Sequence, residues 1–203
     1  MSTTAPFDQR LEKILAIAAK VFADKGFHPT TMRDLSRATG MSLAGLYHYI
    51  SGKDDLLYAI QQRCFTDVLA GAESAIAGAQ TPLERLERFI HHHVAFFARH
   101  MAEMKVLSHE ANSLTGDRLA AINGLKQRYV DMLRDLIGGV DGVSGNGTDA
   151  QVSAYALFGM MNWIYNWYNP AGPLPPEAIA ERFAQIFLSG LTTPAHTTVS
   201  HGG

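Results

Sequence analysis

The sequence predicts an all-α protein of about nine helices, and three observations carry that prediction. Apolar residues recur at spacings of three and four along most of the chain, the period of one helix face. No stretch shows the two-residue alternation of a half-buried strand, and no internal repeat is present. The punctuation is helical too: glycine closes the apolar runs, and threonine or proline opens the next ones.

Taken in order, "DQRLEKILAIAAKVFADKGF" sets Leu11, Ile14, Leu15, Ala18, Val21 and Phe22 on one face, and Gly26 after Lys25 ends the helix. "PTTMRDLSRATG" restarts it. Thr30 or Thr31 caps this second helix, Asp34 stands in the capping-box position relative to Thr31, and Gly40 stops it. Met32, Leu35 and Ala38 are expected to face inward. Ser42 caps a third, short helix. A long fourth helix opens at Gly52-Lys53-Asp54-Asp55, with acids in the turn where the helix dipole favours them, and reaches about Ala79. Thr81-Pro82 opens an amphipathic segment, "PLERLERFIHHHVAFFARH". Further helices are expected over 102–112, 117–137, 149–168 and 176–191. The glycine-rich stretch 138–148 reads as a loop, and 193–203 as a disordered tail. Two domains are expected, 1–52 and 53–192.

Composition bounds the function. Of 203 residues, 47% are apolar, enough for a sizeable core. No run of some 18 apolar residues suggests a membrane span. The N-terminus lacks a basic-then-apolar export signal, and a single cysteine, Cys64, suits a reducing cytoplasm. The net charge of −2 is unevenly spread. Residues 1–64 hold eight basic against six acidic side chains, and the remainder nine against thirteen. A mildly basic N-terminal third supports a nucleic-acid partner without establishing one.

The window "SLAGLYHYISGKDDLL", 42–57, is the informative one. Its helix follows the second across the tight turn "ATGMS", which is the helix-turn-helix pattern in which the later helix enters the DNA major groove. Ser42, Ala44, Gly45 and His48 fall on or near one face, with Tyr47 beside them, while Leu46 and Ile50 point to the core. Small residues at 44 and 45 let the backbone approach base edges, and Leu43 can meet a thymine methyl. Tyr47, His48 and Lys53 offer donors to phosphate oxygens, as does a hydroxyl at Thr30 or Thr31 with the free N–H groups beside it. Arg33 and DNA shape are further sources of sequence choice.

Residues 14–57 as a whole resemble the tetracycline-repressor (TetR) family of bacterial transcriptional regulators. The resemblance lies in the alanine-rich first helix, the "GFHPTT" step, the "ATGMS" turn, "LYHY" and the "GKDDLL" exit. It implies a homodimer, a two-fold symmetric operator, a C-terminal ligand domain, and DNA-holding roles for Thr31, Ser42, Tyr47, His48 and Lys53. Leu43 departs from the basic or polar residue common there. The segment 157–183 resembles members that regulate fatty-acid, sterol or branched-chain catabolism in response to acyl-CoA thioesters, through W-x-x-x-W-Y followed by N-P-x-G-P-L. That implies an acyl-CoA effector.

For the C-terminal part, "AYALFGMMNWIYNWY", 154–168, is apolar nearly all round and so needs burial on every side. Tyr155, Phe158, Gly159 and Asn162 there, with Phe183 and Phe187 of the last helix, are the expected dimer interface. The candidate ligand-binding set is Phe89, His93, Phe96, Phe97, Met104, Leu107, Met132, Met161 and Trp163. Arg85, Arg88, Lys126, Arg128 and Arg134 are available for CoA phosphates and the sequence does not choose among them; Arg128 enters the candidate set. Alternative occupants are an apolar xenobiotic or a free fatty acid, and the alternative class is a helical ligand carrier that does not bind DNA. His91-His92-His93 do not converge on one ion, since successive helical residues point about 100° apart. No metal, cofactor or catalytic motif is expected: there is no G-x-S-x-G, Walker loop, H-E-x-x-H or paired cysteine.

Overall fold

The computed structural model describes residues 4–140 and 147–192. The 193–203 segment and most of the glycine-rich loop lie outside the described residues. Among the described residues there are ten helices and no strand: α1 (Thr4–Lys25), α2 (Met32–Thr39), α3 (Leu43–Tyr47), α4 (Lys53–Ile76), α5 (Pro82–Arg99), α6 (Met101–His109), α7 (Gly116–Gly138), α8 (Gly147–Asn162), α9 (Ile164–Trp167) and α10 (Pro176–Thr192). None is long and apolar enough to cross a membrane.

The first three helices form where the local signals place them. α1 buries Ile14, Leu15, Ala18, Ala19 and Phe22. It ends at Gly26, whose φ of 86° suits glycine and whose N–H donates to Phe22 O at 2.9 Å. Thr31 caps α2: its Oγ1 accepts from Asp34 N, and the Asp34 carboxylate accepts from Thr31 N at 2.9 Å. This is the reciprocal box the spacing predicts. Gly40, at φ 66°, ends α2 in the left-handed region. Ser42 Oγ accepts from Gly45 N at 3.0 Å and starts α3. Leu35 and Leu46, both fully buried, fasten α2 and α3 to the core. Ala38, expected inward, is exposed instead; an eight-residue helix has room for one buried row, and Leu35 takes it.

α4 is the spine. At 24 residues it extends roughly 36 Å and packs on α1, α5, α6 and α7. α5 lies against it so closely that a Cβ on Gly71 would stand 2.3 Å from His92 Cε1. A side chain at 71 would have to displace the His92 ring, whose Nε2 lies 3.1 Å from Val68 O. α7 packs on α4 and α8, and α10 lies along α5. The expected helix 149–168 is interrupted at Trp163, so α8 ends at Asn162 and a single turn, α9, follows. Tyr168 then turns extended (ψ 132°), just ahead of the Asn169-Pro170 step, where helical geometry is disfavoured before proline.

Candidate functional site

The outer face of α2 and α3 presents a small set of polar side chains. Thr31, Arg33, Ser42, Ala44, Tyr47 and His48 are exposed, and Leu43 and Gly45 half-buried. Tyr47 is 50% exposed, a high value for a large aromatic. Tyr49 is half-buried, its ring stacked on Phe7 of α1 at 4.7 Å, which fixes the end of α3. Asp34 also accepts from Lys25 Nζ at 2.6 Å, and that ion pair, with the Thr31 bonds, holds its carboxyl well below the usual carboxylate range.

Two expected members of this face behave differently. Thr30 is buried, and its hydroxyl donates to Gly26 O at 2.6 Å, closing the α1 end; the exposed hydroxyl is that of Thr31. Lys53 is half-buried. Its Nζ donates to Phe27 O at 2.9 Å and His28 O at 3.0 Å and stands 4.5 Å from the Phe27 ring centroid. It ties the α1–α2 loop to the start of α4, with one ammonium proton left over.

A cavity of about 360 Å³ lies between α4, through Phe65, and α5, α6, α7 and α8. Its floor is buried: His93 and Phe97 of α5, Met104 and Leu107 of α6, Tyr129 of α7 and Phe158 of α8. Its mouth is formed by the exposed Ser108 and Tyr155 and the half-buried Lys126. One polar chain crosses the floor. Asn162 Oδ1 lies 3.1 Å from His93 Nε2, so with the amide in this orientation the neutral ring donates there and accepts from Tyr129 OH at Nδ1, also 3.1 Å. Burial pushes the His93 pKa down to about 3, against a smaller opposing effect from Asn162, so the ring is uncharged at neutral pH. The Tyr129 hydroxyl is pushed up by the same burial.

Of the expected ligand set, His93, Phe97, Met104 and Leu107 line this cavity. The rest do not. Phe89 lies one layer behind, 5.1 Å from the Tyr129 ring and 6.2 Å from Phe158. Phe96 is a residue from Phe97, hence about 100° round the helix; it stacks on His100 at 4.2 Å, facing α1 and α4. Met161 is fully buried in the core, Met132 half-buried away from the lining, and Trp163 is 61% exposed. Arg128 sits on the outer side of α7, 3.9 Å from Glu73. Lys126, two residues away and so on the opposite side of the helix, opens onto the cavity instead.

The expected interface set divides. Phe158 and Asn162 belong to the cavity, because a helix between a pocket and the outside turns one face to each. Tyr155 lies at the mouth and remains exposed. Gly159 lies on the outer face, in an apolar stripe with Val152, Ala156 and Trp163; Ile186 on α10 is also exposed, with Phe183 and Phe187 half-buried beside it. The three histidines diverge as helical geometry requires: His91 towards Glu181 at 3.5 Å, His92 onto Val68 O at 3.1 Å, His93 into the cavity. No cluster of three metal-ligating groups occurs among the described residues.

One joint connects the cavity wall to the exposed face. Glu110, just past α6, is buried; its Oε1 accepts from Phe27 N at 3.3 Å and its backbone oxygen accepts from Gln61 Nε2 of α4 at 3.1 Å. The loop before α2 is thus held by α6 through Glu110 and by α4 through Lys53. Glu110 gave no signal in the sequence beyond a carboxylate at a helix end.

An exposed helix-turn-helix face with a ligand cavity behind it defines a ligand-binding transcriptional regulator. Residues 14–60 match the family of bacterial regulatory proteins, tetR family, and residues 79–191 match the tetracyclin repressor-like C-terminal domain. The chain belongs to the TetR family. It is 30% identical over 191 residues to the HTH-type transcriptional repressor KstR2 of Mycolicibacterium smegmatis, covering 90% of this chain and 91% of that one. The HTH-type transcriptional activator FasR of the same species is 26% identical, covering 92% and 85%. Among solved structures, that of AibR in complex with isovaleryl coenzyme A and operator DNA is similar at TM-score 0.75 and 32% identity, covering 87% of this chain and 97% of that one. PfmR of Thermus thermophilus follows at TM-score 0.78 and 28% identity, covering 89% and 99%.

Proposed function

We propose that this protein is a homodimeric repressor that leaves a two-fold symmetric operator when an acyl-CoA thioester binds, and that it controls genes of fatty-acid, sterol or related catabolism. The observation that carries the ligand-responsive half is the cavity itself, apolar with one neutral polar chain on its floor. Such a site suits an acyl body with a carbonyl oxygen, which the N–H groups of Asn162 can meet. AibR, similar over most of its length, was solved with isovaleryl coenzyme A and operator DNA together.

On the DNA side, residues 1–52 are the DNA-binding domain and 53–192 the ligand-binding and dimerisation domain. α3 enters the major groove, with Ala44 and Gly45 at base edges and Leu43 against a thymine methyl. Thr31, Ser42, Tyr47, His48 and the spare Lys53 proton hold phosphates, and Arg33 stands at the edge of the groove. Thr30 is left out because it is buried with its hydroxyl on Gly26 O, whereas Thr31, whose hydroxyl donates to Asp34 Oδ2 at 2.6 Å, is exposed. The outer faces of α8 and α10, with Gly159, Phe183 and Phe187, meet their copies in the partner. Exposed tryptophan and tyrosine beside small residues are what such an interface uses.

The protein acts by binding, in the cytoplasm, and is not an enzyme. Burial pushes the Cys64 thiol up, so it does not supply a thiolate. Selection of binding sites from random duplexes tests the regulator reading. An enriched two-fold symmetric sequence supports it; no enrichment supports a ligand carrier.

A further inference from the structure

We propose that Lys126 recognises a negative group of the effector at the cavity mouth, so that the ligand is an anion with an apolar body pointing inward. This rests on the reading of the cavity as the effector site. Lys126 is the one Asp, Glu, Lys or Arg among the described residues lining the cavity. Its Nζ stands 5.8 Å from the Phe65 ring centroid, and no carboxylate pairs with it among the described residues. Desolvation lowers its pKa, as expected for an ammonium drawn partly out of water without a counter-ion. A half-buried, unpaired cation at the rim of an apolar cavity is unfavourable until an anion arrives.

The other cations are placed elsewhere. Arg88 bonds Glu84 and Ala77 O. Arg134 pairs with Asp131 and Asp135, and Arg118 with Asp55. Arg128 faces Glu73 and Arg85 is exposed on α5; none of the five lines the cavity. Lys126 also lies one helical turn before Tyr129, so an anion on it and an oxygen on the floor chain share one wall. The shared chemistry is an anionic head: a carboxylate carries it at the end of the apolar body itself, a CoA phosphate at the far end of the pantetheine arm.

The test compares full-length wild type with Lys126→Met, which keeps an apolar stem, and Lys126→Arg, which keeps the charge. The probes are octanoyl-CoA, octanoate, methyl octanoate, and the anionic dye 1-anilinonaphthalene-8-sulfonate beside its uncharged analogue N-phenyl-1-naphthylamine. Lys126→Met should weaken the anionic probes about tenfold or more, as loss of a charged hydrogen bond does, and leave the uncharged ones unchanged. Lys126→Arg should stay near wild type. A loss confined to octanoate identifies a carboxylate as the recognised head; a loss confined to octanoyl-CoA identifies the CoA part. Equal losses for charged and uncharged probes, or none for any anion, overturn the inference. If wild type ignores octanoyl-CoA while the two dyes still separate at Lys126, the acyl-CoA reading falls and this one stands.

Discussion

Two hydrogen bonds and complete burial make His93 a neutral wall residue, and the same burial makes it a source of acid sensitivity. Its folded pKa, about 3, lies below the unfolded value of 6.5. Protonation therefore favours the unfolded chain, so the contribution is complete above pH 6.5 and declines as pH falls from there towards 3. The decline approaches about 1.4 kcal/mol per pH unit. Urea unfolding at pH 7.5 and 5.5 should show this loss, and His93→Gln should remove about one proton from the slope; an unchanged slope would exonerate His93. Lys53→Ala should do two things. Loss of its bonds to Phe27 O and His28 O should lower the melting temperature, and loss of a phosphate contact should make the salt dependence of operator binding shallower by about one unit. An unchanged melting temperature contradicts the structural role, and an unchanged slope the contact. At this scale the sequence was readable where a motif names an atom, as in the Thr31–Asp34 box. It was not readable where neighbours compete for one face. Phe96 and Phe97, or Lys126 and Arg128, are equivalent until the helix rotation is known.

Among the elements, α6 joins the two activities. It lines the cavity with Met104 and Leu107, packs on α1, and leads into Glu110, which bonds the backbone ahead of α2. The joint is incompletely satisfied: Gln61 Oε1 has no partner among the described residues, a defect that costs about 1–3 kcal/mol. Through Glu110, the α1–α2 loop is hydrogen-bonded to the end of the helix that lines the cavity. Glu110→Ala should leave effector affinity within about threefold and reduce effector-driven operator release by about tenfold, which titrations of each separately can measure. Loss of affinity and release together would place Glu110 in the cavity instead. Most helices were legible from period and caps, including the short α2 and α3. The α8–α9 break was not, because an apolar run through Trp163 carries no stop signal until Pro170. Without that break, the pattern turns the residues around Asn162 towards a partner alone.

For the whole molecule, the exposed outer stripe of Val152, Ala156, Gly159 and Trp163 with Ile186 is the surface proposed to meet its copy in the dimer. Two recognition helices must sit about 34 Å apart to read successive major grooves. Val152→Glu with Ile186→Glu should give a folded monomer by sedimentation and at least a hundredfold weaker operator binding; a dimer that persists would move the interface elsewhere. Release is a population shift: the effector must favour a dimer whose helices are wrongly spaced, and tenfold weaker DNA binding needs about 1.4 kcal/mol of that preference. The measurement that tests this most directly is fluorescence anisotropy of the selected operator bound to wild-type protein, titrated with acyl-CoAs of increasing chain length. The account predicts that at least one acyl-CoA lowers operator affinity tenfold or more at saturation, with a matched shift in its own affinity when operator is present. Operator binding that no acyl-CoA alters would contradict it.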